Sequence, residues 1–180
     1  MPIELRAPAV FPARDLSLRQ WCADDLDALV DAYRDPVLRR WTRLPVTNAA
    51  EGRRWLDRAR RDWDDGRRYS FAVIEDHPDG ARLAANVVLK RVSVDWPVPE
   101  VGYWTAAWAR GRGVAPRAVT ALSRWAFAEF PALERLDLLH QVDNVASCRV
   151  AQKSGYTFRE VLPAQPPFPL DGHRHSLDAP

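Results

Sequence analysis

The stretch Glu100-Val-Gly-Tyr-Trp-Thr-Ala-Ala-Trp-Ala-Arg110-Gly-Arg-Gly-Val-Ala115 combines residue types and spacing suited to holding a phosphate. Alternation over Glu100–Ala106 reads as a strand, and helical spacing of apolar residues starts at Val114. A strand-to-helix junction aims unpaired N–H groups at one point, and the helix dipole adds positive potential there. Gly111 and Gly113 permit close backbone approach and unusual dihedrals, while Arg110 and Arg112 add permanent, planar positive charge. The natural occupant is a pyrophosphate. Two better-known phosphate loops are excluded, because position 116 is Pro where Gly-x-Gly-x-x-Gly needs glycine, and no Gly-Lys-Ser/Thr follows. Pro116 instead suits a first helical turn. On glycine spacing alone the same residues also read as a tight turn with solvated arginines, and both readings stand.

The surrounding elements follow from periodicity. Three prolines fall among the first twelve positions, so residues 1–15 read as an irregular leader and 16–180 as one domain. Leu16–Trp21 alternates as a strand. Asp24 is placed to cap a helix carrying Leu26, Leu29, Val30 and Tyr33, which Pro36 ends. Thr47 or Asn48 opens a second helix, with Trp55, Leu56, Ala59 and Trp63 on one face, and Gly66 stops it. Strand patterns cover Tyr69–Glu75, Arg82–Asp95 and Glu100–Ala106. A helix then runs from Val114 to Phe130, a strand over Arg135–Val142, a helix from Asp143 or Asn144 to Gly155, a strand over Tyr156–Leu162, and a short one near His175–Leu177. This order describes an α/β domain with a mixed sheet.

Composition narrows the classes. A net charge of +2 is too small to argue for nucleic acid, and no run approaches the ~18 apolar residues of a membrane span. Only Cys22 and Cys148 are present and no secretory leader is visible, which points to reduced thiols and a cytoplasmic protein. Two lysines among 26 cations make arginine the default positive charge, and the arginines of residues 53–61 interleave with acids as a solvated helix face. Eight tryptophans need a large core or a groove to line.

Arg110-x-x-Gly113-x-Ala115 resembles the pyrophosphate signature, Arg/Gln-x-x-Gly-x-Gly/Ala, of the GCN5-related N-acetyltransferase (GNAT) superfamily. Asp143-Asn144-Val-Ala-Ser147 through Lys153-Ser-Gly155-Tyr156 is similar to the Asn-x-x-Ser helix and Gly-aromatic turn of its ribosomal-protein N-terminal (RimJ/RimL-type) branch. The looser likeness spans Leu16 to His175. It implies a mixed, mostly antiparallel sheet of about six to seven strands, splayed centrally and flanked by about four helices. It also implies an enzyme that transfers acetyl from acetyl-CoA to a primary amine, either a small metabolite or a polypeptide N-terminus.

Carried over, Trp104, Thr105 and Ala106 lie beside pantetheine and acetyl, and the N–H groups of Gly111, Arg112, Gly113, Val114 and Ala115 hold the pyrophosphate. Asn144 bonds pantetheine, although its place as a helix N-cap accounts for it equally. Lys153 falls near the nucleotide end, where an exposed helix lysine is the plainer explanation. Ser147, one turn after Asn144, can protonate the departing thiolate or simply pack beneath the cofactor. A backbone N–H near Thr105 or Ala106 would polarise the carbonyl. Glu100 is a candidate base if burial raises its pKa, and His140 is another, though a strand histidine is often structural. Strand alternation sets Glu100, Gly102, Trp104 and Ala106 on one face and Val101, Tyr103 and Thr105 on the other.

Tyr33, Trp41 and the segment Asp35–Pro45 are the expected acceptor wall. Trp104 and Trp108 are expected to narrow the donor site. His173 and His175 have no carboxylate or Cys partner at ligand spacing, so no metal is expected. The end of the chain departs from the family, with Ser176 where an Asp is usual and a tail that stops early. That suggests a short closing strand, or one completed by another copy in a homodimer. A larger acyl donor, or a non-catalytic acyl-CoA sensor, are the alternative readings.

Overall fold

The computed structural model describes residues 3–9, 13–42, 46–90 and 98–180. The central sheet has eight strands: β1 (Glu4–Ala7), β2 (Leu16–Gln20), β3 (Arg68–Glu75), β4 (Arg82–Lys90), β5 (Glu100–Thr105), β6 (Arg135–Gln141), β7 (Thr157–Leu162) and β8 (Gly172–Asp178). Their order is β1-β2-β3-β4-β5-β6-β8-β7. Every neighbouring pair is antiparallel except β5 with β6. Among the described residues five helices flank it: α1 (Leu26–Ala32), α2 (Pro36–Trp41), α3 (Ala49–Asp64), α4 (Val114–Glu129) and α5 (Val145–Lys153).

Two elements exceed the expectation. The supposed leader contributes β1, which pairs with β2 and buries Ala7 in the core, so proline frequency misjudged it. Pro36 starts a helix rather than merely ending one. Asp35 accepts hydrogen bonds from Val37 N (3.0 Å) and Leu38 N (3.3 Å), and Pro36 occupies a position where its missing N–H costs nothing. Asp24 does not cap α1. The turn is held by Asp25, which accepts from Cys22 N at 2.9 Å and from both Arg19 terminal nitrogens at 2.8 and 2.7 Å. Asn48 caps α3 as expected, accepting from Glu51 N at 3.0 Å. Residues 43–45 of the expected acceptor wall and 91–95 of the strand expected over Arg82–Asp95 lie outside the described residues.

The sheet separates two cores. On one face α4 and α5 cover Leu16, Leu18, Phe71, Val73, Val87, Leu89, Val101, Leu136 and Leu138. On the other, α1, α2 and the start of α3 cover Ala72, Ile74, Leu83 and Trp104. Alternation along β5 matches the expectation, with Val101 in the first core and Trp104 in the second.

β8 is not short. Its seven residues pair with β6 from Arg135↔Asp178 to Gln141↔Gly172, so the closing strand needs no second chain. Ser176 explains its own departure from the family pattern. It donates to the buried Asp137 at 2.7 Å, where an Asp would set two carboxylates against each other. Ser176→Ala is therefore expected to cost ~1–3 kcal/mol by stripping a donor from a buried carboxylate. Ser176→Asp is expected to cost more, and urea unfolding midpoints measure both. Equal midpoints for wild type and Ser176→Ala would show that Asp137 does not depend on the serine.

Candidate active site

Among the described residues, the parallel ladder between β5 and β6 contains only Glu100↔Asp137 and Val101↔Leu138. Beyond Val101 the strands part, while β5 stays paired with β4 as far as Ala85↔Thr105. Ala106 N donates to Ala84 O at 2.9 Å, which orients its N–H toward β4. Successive strand N–H groups point to opposite sides, so those of Tyr103 and Thr105 point into the opening. Of the two expected oxyanion donors, Thr105 is therefore suitably aimed and Ala106 is not.

After β5 a single 3-10 turn, Ala107–Ala109, leads into the glycine loop. Gly111 and Gly113 have φ of +74° and +75°, so both use the left-handed region that favours glycine. Gly113 is the N-cap of α4 and makes no side-chain cap bond. The helix's own bonding begins with Arg117 N to Gly113 O, and Pro116 has no N–H. The N–H groups of Gly113, Val114 and Ala115 thus have no acceptor within α4, as an anion cradle requires. Among the described residues, nothing lies within 4 Å of where a Cβ on Gly113 would sit.

The two loop arginines are not loose. Arg110 ion-pairs with Asp35, the cap of α2. Arg112 reaches the buried Glu75 at 2.7 Å and stands 5.4 Å from the Trp108 ring centroid. At the other end of α2, Arg40 bonds Asp143 at 2.7 Å, just before α5. Helix α2 is thereby strapped from the glycine loop to the start of α5. Burial alone would raise the Asp35 carboxyl, but the Arg110 hydrogen bond, the Val37 and Leu38 N–H groups and the Arg110 charge hold it below its ordinary range.

On the α5 side, Asn144 is the N-cap, accepting from Ser147 N at 3.2 Å. Its expected capping role is real. Ser147 is buried, and its Oγ accepts from Tyr103 OH at 3.1 Å across the splay. Burial raises the Tyr103 pKa against the opposing Ser147 bond, so the phenol stays protonated. Tyr103 was not among the expected site residues. Alternation had already put it on the face of Val101 and Thr105, the face that α5 and Ser147 cover.

Other expected residues are placed differently. Tyr33 and Trp104 are buried together in the second core, ring centroids 5.9 Å apart, so neither lines an open pocket. Trp108 donates from Nε1 to Leu83 O at 3.1 Å and is covered by Arg82, 4.2 Å from its ring. Both tryptophans are thus engaged in packing contacts, Trp104 buried and Trp108 half-buried. Trp41 is half-buried at the end of α2, with Arg40 4.8 Å from its ring centroid. Glu100 ion-pairs with Lys90 at the closed end of the splay, on the face of Trp104. Lys153 is exposed in the last turn of α5. His140 lies on β6 with Nδ1 bonded to Gln141 O at 2.8 Å and its ring stacked on His175. The sheet therefore divides the candidates, with Ser147, Tyr103 and His140 on the α4–α5 face and Glu100 on the other.

A sheet opened beside a glycine-capped helix, with a part-buried hydroxyl pair across the gap, suits a nucleotide-linked acyl donor. The Acetyltransferase (GNAT) domain matches residues 15–157, and the chain belongs to that family, acyltransferases whose donor is acetyl-CoA. No curated protein matches the chain in sequence. Among solved structures, RimL, a ribosomal-protein alpha-N-acetyltransferase in complex with coenzyme A, is 18% identical with a TM-score of 0.80 over 96% of this chain and 97% of its own. The microcin self-immunity acetyltransferase MccE, in complex with acetyl-CoA and AMP, is 17% identical with a TM-score of 0.79 over 91% and 92%. Mycobacterium smegmatis RimJ, with a CoA disulfide, is 19% identical with a TM-score of 0.76 over 99% and 87%. These likenesses establish the shared fold. Among the described residues no helix is long and apolar enough to cross a membrane.

The α2 strap makes its own forecast. Asp35→Asn keeps a competent cap but breaks the pair with Arg110. A carboxyl held below its unfolded pKa gives stability that is full above the unfolded value and is lost as pH falls through the folded one. Thermal melts from neutral to acid pH should show a shallower acid-side loss in Asp35→Asn than in wild type. Superimposable acid limbs would remove the strap.

Proposed function

We propose that this chain acetylates a primary amine, of a small metabolite or a polypeptide N-terminus, by direct attack on acetyl-CoA in a ternary complex. The observation that carries the reading is the Tyr103–Ser147 hydroxyl pair spanning the β5–β6 opening beside the bare N-terminus of α4. The N–H groups of Gly113, Val114 and Ala115 receive the pyrophosphate, and Arg110 and Arg112 are close enough in sequence to turn from their carboxylates toward it. Asn144 and the parted edges of β5 and β6 flank the pantetheine arm, with Lys153 toward the nucleotide end.

Chemistry then divides between the faces. The amine approaches from the side of Trp41 and Glu100, and Glu100 takes its proton directly or through water. Thr105 N–H stabilises the tetrahedral oxyanion as the amine nitrogen bonds to the carbonyl carbon. When the carbon–sulfur bond breaks, Ser147 gives its proton to the thiolate and takes one from the Tyr103 phenol; after CoA leaves, Tyr103 regains a proton from solvent and Glu100 releases the amine proton to solvent. Accepting from Tyr103 leaves the Ser147 hydroxyl hydrogen free to point at the sulfur. The alternative of a non-catalytic sensor rested on an incomplete tail, and β8 is fully paired.

Two measurements test this. Gly113→Glu sets a carboxylate against the pyrophosphate and forces a side chain into φ +75°, so acetyl-CoA affinity should fall at least ~100-fold by calorimetry, about 3 kcal/mol. Undiminished affinity would place the nucleotide elsewhere. Ser147→Ala and Tyr103→Phe should each lower kcat by ~10–100-fold with acetyl-CoA affinity retained, within the range for a general acid. Release of free CoA with a panel of small amines and peptide N-termini measures turnover, and unchanged kcat in both variants would exclude the hydroxyl relay.

A further inference from the structure

Beneath α5, on the face of the sheet that carries α4, the fold assembles four side chains that are scattered in sequence. His140 comes from β6, Cys148 from α5, and His173 and His175 from β8. One donor atom from each lies within 4.8 Å of every other. Cys148 Sγ is 3.4 Å from His173 Nδ1 and 3.6 Å from His175 Nε2. We propose that these four residues form a closed, tetrahedral site for a transition metal ion, with Zn²⁺ the best match.

Ligand geometry supports this. Tetrahedral zinc with usual bond lengths sets N and S ligands ~3.6 Å apart and two N ligands ~3.3 Å apart. The two sulfur–nitrogen separations already have that length, and the widest remaining gap closes by modest side-chain rotation. His140 is also prepared as a ligand. Its Nδ1 donates to Gln141 O at 2.8 Å, which fixes the proton there and leaves the Nε2 lone pair buried without a hydrogen-bond partner among the described residues. Such an outer hydrogen bond orients a metal-bound imidazole and raises its basicity. The donor set of one sulfur and three imidazoles contains no hard oxygen ligand, which selects zinc and its neighbours over magnesium or calcium.

Four protein ligands leave no open position, so the ion is structural rather than a Lewis acid for substrate. It joins β6, β8 and the first turn of α5, where Cys148 directly follows Ser147. Binding releases the Cys148 thiol proton to solvent and consumes the free lone pair of His140. His140 then positions the ion and is no base. The proposal is independent of acetyl transfer.

Chelator-treated protein titrated with ZnCl2 against a chromophoric competitor should bind one equivalent tightly and melt at a higher temperature. Replacing zinc with Co²⁺ should give intense tetrahedral d–d bands and a thiolate-to-cobalt charge-transfer band. Cys148→Ser should abolish that charge-transfer band, and His173→Ala should weaken Zn²⁺ binding beyond the ~10–100-fold typical of losing an outer-sphere partner. Each metal-free variant should melt near metal-free wild type, which separates ligand loss from misfolding. Absence of stoichiometric binding, a weak octahedral cobalt spectrum, or binding indifferent to Cys148→Ser and His173→Ala would each overturn the site.

Discussion

The working geometry depends on how early β5 and β6 stop pairing. Their ladder has two residue pairs, whereas β5 continues against β4 and β6 is matched along its full length by β8. Both strands are thus held firmly on their outer sides and are free only on the sides that face each other. The opening is a property of the sheet, with no mobile part needed to create it. Into it point alternate N–H groups of β5, and at its ends stand the N-termini of α4 and α5, the helix ends where an anion and a polar arm are best received.

That opening also joins two electrostatically different faces. The Glu100–Lys90 pair belongs to the side of Trp104, where Arg68 is desolvated near Asp62, Glu100 and Tyr33. Hydroxyls and imidazoles occupy the other. Acyl transfer to an amine removes one proton and delivers one, and a base and an acid in direct contact would short-circuit the exchange. Glu100 and the Tyr103–Ser147 hydroxyl pair lie on opposite faces of the sheet, the separation that the proposed division between base and acid requires. Helix α2 closes the arrangement from outside through Arg110–Asp35 and Arg40–Asp143.

Much of this was legible because it is local. Helical spacing announced α3 and α4, two glycines before Pro116 announced the anion end of α4, and Asn144 announced the cap of α5. What escaped was decided by distance in space. Pro36 looked like a stop because its own preceding residue, Asp35, was not read as a cap. Ala7 joined the core only because β2 offers β1 an edge. Trp104 looked like a groove wall until Tyr33 and Trp21 arrived to bury it, and Tyr103, opposite in the alternation, was the residue with access to Ser147. The His-x-His pair appeared to lack a sulfur ligand because Cys148 is 25 positions earlier, on a helix that folds back over the strand.

β8 shows why the end of the chain carries so many polar groups. It borders β7, whose residues are almost all exposed, so little apolar burial holds this corner and β6 is its main attachment. Polar contacts secure both faces of the strand. On one, Ser176 and Arg174 converge on buried Asp137, at 2.7 and 3.4 Å. On the other, His173 and His175 converge on Cys148 and His140. A strand fixed on both faces cannot slip register without breaking one set, because a one-residue shift exchanges its faces. The Cys148 contacts with His173 and His175 also tie β8 to α5, the helix that carries Ser147.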